Sequence, residues 1–530
     1  MHFETVFLVL FAIASAVAIA AHRLRIPYTV ALVGTGLVLG VLRLIEPPHL
    51  TRELLYSFIL PGLLFEASFH LDLADLWKNR IAIPMLAAPG VVASILLTAG
   101  ILASLAKALP FMKGFGFPEG LVFGAVIAAT DPVAVVALFR TAGCPRRLRV
   151  LVEGESLWND GTSLVLYGLV LGFVSGAHVT AGSLALAFFK VVGAGVLAGV
   201  AAGWVGSRII RSIDDPMIEI TLTTIVAYGS FVGAESIGGS GVIATVTAGI
   251  LCGNYAVRRG MNPATRVAAE TFWEYVAFAL NSVVFLLVGF ELRAGDLLAS
   301  WQPILVAYLA VTIGRGLVIS GVSGLLRRTR ESIPWTWTPV LTWAGLRGAL
   351  SMVLALTLAV NFSHRSLIVT MTFGVVLLTI LVQGTTMGWL LKRSGLVPEV
   401  AHRGDLEAAR GRAVAARAAL AEIERMGNDY AAPRDVLRNL REEYEKKIRA
   451  SEEALDRLRK AAGSDSPDES RGVRRHLLVT EKSSLLEAAR GGLIGPEAFE
   501  KVSGEIDGDL VALEEPAASD PGVPEPEDES

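Results

Sequence analysis

Two cysteines in 530 residues, Cys144 and Cys252, leave no room for a disulfide framework. Charge is also scarce: 18% of the residues are Asp, Glu, Lys or Arg against 53% hydrophobic, too apolar a balance for a soluble globular chain of this length. The opening MHFETVFLVLFAIASAVAIAAHRLR has no basic stretch ahead of its apolar run, and its charges follow it, which points to a retained first span rather than a cleaved signal peptide. No HExxH, GxSxG or nucleotide-binding glycine fingerprint occurs, and Ser156 has no histidine nearby to serve as its base, so hydrolase chemistry has no support. His22, His49, His70 and His364 fall at span ends without metal-ligand spacing. No enzyme activity, cofactor or nucleic-acid partner is expected.

What the chain does have is apolar length. Stretches of about 18 to 29 residues between short polar loops read as membrane helices, since about 20 residues cross the hydrocarbon core. About thirteen can be placed, starting near Phe3, Pro27, Glu53, Ile81, Pro118, Val150, Ala181, Pro216, Gly241, Arg266, Leu297, Pro334 and Ser366. The third is short, and Pro89 predicts a kink in the fourth. Lysines and arginines near one set of alternate loops, from Arg23 and Arg25 to Lys392 and Arg393, number roughly eighteen against roughly six near the other set. That bias puts the amino terminus outside and the carboxyl tail in the cytoplasm; the cell (inner) membrane is the expected location.

Several polar residues then land at membrane depth. Asp160 lies roughly 16 Å in from Arg149, and Asp131 roughly 14 Å from Arg140, at about 1.5 Å per residue. A charge there costs at least about 2.5 to 3.5 kcal/mol, so each carboxylate should be paired, line a watery cavity, or bind an ion. On a helix, Ser156, Asp160 and Ser163 make one stripe; Glu155 and Asn159 make a second that faces other neighbours. Thr130-Asp131-Pro132 is a helix-start signature, with Asp131 as cap and Pro132 in first place, yet it stands mid-membrane: either a capped kink or a discontinuous helix that opens on a cavity. With Asp160 at the same depth, an ion site is the stronger reading.

The twelfth span, LTWAGLRGALSMVLAL, is interrupted by Gly345, Arg347 and Gly348. Corresponding breaks in oppositely directed spans are what inverted repeats produce, here spans one to six and eight to thirteen. Arg315 is another deep cation, and its candidate partner is Glu155, an ion pair that ties the repeats together. Glu66 is balanced between accessory ligand and interfacial residue. Asn281 and Gln383 suit interhelical hydrogen bonds. Glu270 and Glu274 suit a solvated cytoplasmic rim.

ATDPVAV in the fifth span, EGESLWND in the sixth and GLRGALS in the twelfth resemble the monovalent cation:proton antiporters that include bacterial NhaP and animal NHE exchangers. The likeness runs over roughly Met1 to Arg393. It implies that Asp160 carries cation and proton in turn, with Asp131, the Thr130 carbonyl, Ser156 and Glu66 completing an oxygen shell for an alkali cation. It also implies that Asn159 is the neutral member of a pair that is two acids in electrogenic relatives, and that Glu155 and Arg315 form the structural ion pair. Electroneutral exchange of one cation for one proton, a homodimer and an elevator-like movement of the core bundle are implied likewise. Na⁺ is the expected cation, with K⁺ or Li⁺ held by the same oxygens; a channel and a transport-inactive sensor are the rival functions.

The expected class is therefore an all-α polytopic membrane protein with two inverted six-helix repeats and crossed broken helices, plus a helical cytoplasmic tail. Residues 1–395 form the exchanger domain, 396–515 the tail, and 516–530 a Pro-rich, acidic, disordered end. Within the tail, Leu406, Ala409, Leu420 and Ile423 suggest one amphipathic helix and Val436, Leu440, Tyr444 and Ile448 another, with a third around HLLVTEKSSLLEAA.

Overall fold

Away from water, backbone N–H and C=O groups must find partners within the protein, and long runs of Leu, Val, Ile and Ala do so as helices. The computed structural model is helical accordingly, with no strand among the described residues. It describes residues 3–24, 28–42, 54–176, 180–257, 261, 263–291, 294–396, 403–428, 434–462 and scattered positions between 477 and 509. Pro27, His49, Glu53, Arg25, Arg258 and Arg259 lie outside these, as do most of the third tail helix and the whole acidic end. The chain divides into two compact units, Met1–Pro398 and Glu399–Ser530.

Among the described residues of the first unit, seven helices are long and apolar enough to cross a membrane, including Arg146–Val174, Thr265–Glu291 and Trp301–Leu326. Shorter apolar stretches run Leu8–Ala21, Tyr28–Leu42, Tyr56–Phe69, Phe117–Val126 and Gly241–Val257. The expected kink is present: Ala82–Ala87 and Pro89–Ala106 are separate helices joined at Ala88, because Pro89 has no N–H to continue the ladder. Thr162 Oγ1 donates to the Ala87 carbonyl at this bend, 2.5 Å away.

Two further helices are unwound in their middles. Phe117–Val126 stops and Val133–Thr141 starts after residues 127–132, forming the first broken helix. Thr338–Trp343 stops and Ala349–Leu356 starts after residues 344–348, forming the second. Their inner halves are packed into apolar cores: Phe123, Ile127 and Met352 in one, Phe139, Leu151, Val340 and Leu341 in another.

In the second unit, Arg403–Asn428 and Arg434–Ala462 form an antiparallel pair. Ala409, Ala413, Ala416 and Ile423 are buried on one helix, Leu437 and Ser451 on the other, the alternating three- and four-residue steps of a coiled-coil seam. Arg417–Glu452 at 2.6 Å and Arg441–Glu424 at 3.5 Å bridge its edges. The expected stripe starts one residue early: Leu437 is buried where Val436 was expected, and Val436 is 49% exposed. A 3.5-residue period through Leu437, Tyr444, Ile448 and Ser451 explains the shift, since supercoiled helices drift from the 3.6-residue stripe. Leu437→Ala should therefore lower the local stability of the hairpin by roughly 2 kcal/mol, while Val436→Ala leaves it nearly unchanged. Hydrogen exchange of the amides in 434–462 measures both, and equal losses in the two variants would contradict this register.

Candidate ion-binding site

The helix Arg146–Val174 carries polar side chains to two different places. Ser156 and Asp160, four residues apart and so on one face, line a cavity of about 320 Å³ together with Asp131, Thr130, Glu66 and Asn281. Glu155 and Asn159, one residue round from each, line a small separate void with Arg315 and Arg347. Asn159, expected on the second stripe with Glu155 and as the neutral member of the family's acid pair, accordingly lines that void and not the larger cavity. Its Nδ2 donates to the Ala128 carbonyl at 3.1 Å and to Thr130 Oγ1 at 3.0 Å, which makes it a brace for the unwound segment.

Unwinding strips carbonyls and amides of their helical partners, and each loss inside the membrane must be made good. The two breaks make it good for one another. Asp131 N donates to the Leu346 carbonyl at 2.8 Å. Arg347 Nη1 donates to the carbonyls of Ala128 and Ala129 at 2.7 and 3.3 Å, and its own amide to Thr379 Oγ1 at 3.1 Å. Ser156 Oγ donates to the Thr130 carbonyl at 2.5 Å. Asp131 Oδ1 accepts from Val133 N at 3.0 Å and so caps the second half-helix, whose first residue is Val133, one place beyond the Pro132 expected to open it.

Two glycines make the crossing possible. A Cβ on Gly348 would stand 2.7 Å from the Cβ of Asp131, and one on Gly345 would enter the guanidinium of Arg315. Arg315 in turn reaches Glu155 with both ends of its fork, Nη1 to Oε1 at 2.9 Å and Nη2 to Oε2 at 2.8 Å, and holds the Leu341 carbonyl as well. The pair is almost wholly buried, with side chains 8% and 4% exposed.

Among the cavity's lining residues, Arg140 pairs with Glu153 at 3.3 Å. His70 Nδ1 lies 3.0 Å from the Glu66 carbonyl and 3.5 Å from its carboxylate. Glu153, given no role beforehand, and Asn281, expected in a hydrogen bond between helices, both line the wall. Gln383 Nε2 does bridge to Tyr308 Oη at 3.5 Å, and Glu270 pairs with Arg266 at 2.9 Å on the surface. Not foreseen was the reach of Arg347 to the other break; an arginine flanked by glycines inside an apolar run was the available signal.

Two carboxylates, a hydroxyl and a backbone carbonyl form a hard, all-oxygen donor set of the kind that suits alkali cations. Among the described residues there is no group of three or more His, Cys, Asp or Glu that could hold a metal ion.

Residues 7–393 match the family described as sodium/hydrogen exchanger, transmembrane. The chain is 40% identical over 385 residues to the Na⁺/H⁺ antiporter ApNhaP of Aphanothece halophytica, covering 72% of each chain. It is 36% identical over 407 residues to the low-affinity Na⁺/H⁺ antiporter NhaS1 of a Synechocystis strain, covering 76% of each. Among solved structures, the sodium proton antiporter MjNhaP1 of Methanocaldococcus jannaschii at pH 8 has the same fold, with TM-score 0.61 at 20% identity over 75% of this chain and 100% of that one.

The buried pair leads to a double-mutant test. Arg315→Ala strands the Glu155 carboxylate and should cost about 3 to 5 kcal/mol, whereas replacing both partners with leucine should recover much of that loss. Thermal melting of the purified protein reads both variants. A stable Arg315→Ala protein with altered ion selectivity would place Arg315 in transport instead.

Proposed function

The chain belongs to the sodium/hydrogen exchanger family, whose members are secondary transporters rather than enzymes, and on that premise we propose that Asp160 carries Na⁺ and H⁺ by turns, one for one, across the cell membrane. The observation that carries this reading is the gathering of Asp160, Asp131, Ser156 and Thr130 on one cavity beside two unwound helices. Asp131, Ser156, the Thr130 carbonyl and Glu66 complete the cation's oxygen shell. Proton and cation compete for the same carboxylate, because a bound cation favours the anion and a dry surround favours the acid. K⁺ and Li⁺ are hard cations of the same kind and compete for the same oxygens.

Charge supports the one-for-one ratio. Asn159, the neutral residue beside Asp160, leaves Asp160 as the carboxylate whose charge the exchanged ion neutralises. One Na⁺ or one proton does so alike, so the two loaded forms carry the same charge, while the empty form must drag a bare carboxylate through a barrier of several kcal/mol. Exchange becomes obligatory, and no ATP is required.

The amino terminus lies outside and the tail in the cytoplasm, as the basic loops indicate. The chain works as a homodimer; helix Gly182–Ile210, only 11% buried and carrying exposed Leu186, Phe189, Leu197 and Trp204, offers a face for lipid or a second subunit. The core bundle shifts against a dimerisation scaffold in an elevator-like movement.

Fluorescence dequenching in everted vesicles tests the assignment, with Na⁺ and K⁺ compared across pH. Asp160→Asn should fall to the vesicle background while melting within a few degrees of the parent protein; normal cation-dependent proton flux from that variant would sink the role given to Asp160. In proteoliposomes, an imposed membrane potential should leave the parent rate unchanged. A rate that follows the potential would rule out one-for-one exchange.

A further inference from the structure

A second concavity, of about 670 Å³, runs along the lipid-facing flank between Trp301–Leu326, Thr338–Trp343 and Gly384–Arg393. Gly316, Leu317, Thr342, Trp343, Trp389 and Leu390 line it. Part of its polar lining is satisfied within the fold, since Trp343 Nε1 donates to Thr386 Oγ1 at 2.8 Å and Thr342 Oγ1 to the Thr338 carbonyl at 2.8 Å, while Thr312 Oγ1 is buried without a hydrogen-bond partner. What faces outward is hydrocarbon, with Leu317 54% and Trp389 63% exposed.

One end of this groove is basic. Trp389 forms its wall there, and the Arg393 guanidinium lies over the Trp389 ring, 5.7 Å from its centre, with Lys392 next in the chain. Arg327 and Arg328, at the same end of the neighbouring helix, are exposed. An acyl chain leaving the bilayer for such a groove gains little from hydrophobicity, because lipid tails are as apolar as the wall. Selection among lipids therefore falls to the headgroup, and positive charge at the rim selects negative phosphate.

We infer that this groove holds one acyl chain of an anionic phospholipid whose headgroup sits on Lys392 and Arg393. The wall it presses on is Thr338–Trp343, the half-helix that leads directly into Gly345 and Arg347. Each basic residue near an anionic headgroup is worth roughly fivefold, so the pair should prefer an anionic over a zwitterionic lipid by roughly twentyfold.

The test uses the full chain in nanodiscs, with phosphatidylglycerol or phosphatidylcholine brominated on the acyl chain as quencher of tryptophan fluorescence. Trp343→Phe and Trp389→Phe identify the signal of the two groove tryptophans. Phosphatidylglycerol should quench them at a mole fraction roughly twentyfold lower than phosphatidylcholine does. Lys392→Gln with Arg393→Gln, both exposed positions, should abolish that preference without a change in melting temperature. Gly316→Leu, which fills the groove, should protect Trp343 from both lipids. Equal quenching by the two lipids in the parent protein, an undiminished preference in the doubly substituted protein, or unprotected Trp343 in Gly316→Leu overturns the inference.

Discussion

The hydrogen bond from the Asp131 amide to the Leu346 carbonyl joins two chains of backbone that could not exist separately. Each belongs to a helix unwound where no water is available to replace a lost partner, and each supplies groups that the other lacks. Arg347, Asn159 and Ser156 finish the work by taking the carbonyls of Ala128, Ala129 and Thr130. Removing Arg347 or Ser156 takes the side-chain donor from the carbonyl of Ala129 or Thr130, and an unsatisfied carbonyl in a dry interior costs about 1 to 3 kcal/mol or more. The crossing is therefore a cooperative unit, and Asp160 has a fixed neighbourhood only because that unit is intact.

The charges obey the same logic at larger scale. Glu155 and Arg315 are nearly as deeply buried as any charged groups described, and their fork geometry answers most of the desolvation they incur. Arg347 meets carbonyl dipoles in place of a carboxylate, so its charge is not cancelled locally and acts on what lies across the break. One helix, Arg146–Val174, holds the two systems apart by presenting Glu155 and Asn159 on one side and Ser156 and Asp160 on the other.

Much of this is written in single residues. Asp131-Pro132 at membrane depth announces a helix end; the four-residue spacing of Ser156 and Asp160 announces a shared face; Arg315, unable to shed its charge, demands an acid. Pro89 marks its own bend. Less legible is anything decided by the neighbour across the gap. Asn159 is legible as a residue of the second stripe, but only the position of Ala128 and Thr130 makes it a brace. Asn281 and Glu153 line the cavity because of how three helices meet, which no one-dimensional period encodes. Glu331, in a connecting segment, accepts from the amides of Ile81 and Ala82 at 2.9 and 2.8 Å, a cap contributed from 249 residues away for Ala82 and so invisible to local capping rules. In the tail, one residue of register separates a 3.6-residue stripe from a 3.5-residue seam.

Gly345 and Gly348 each keep an otherwise fillable space open for a charged side chain of another helix. That makes them a record of interlocked history. A lineage that placed a methyl group at 348 would have had to move the carboxylate of 131 beforehand, and one that did so at 345 would have had to give up the arginine at 315. Each glycine is thus tied to one charged residue of another helix, and a side chain added at either place demands a change at its partner first.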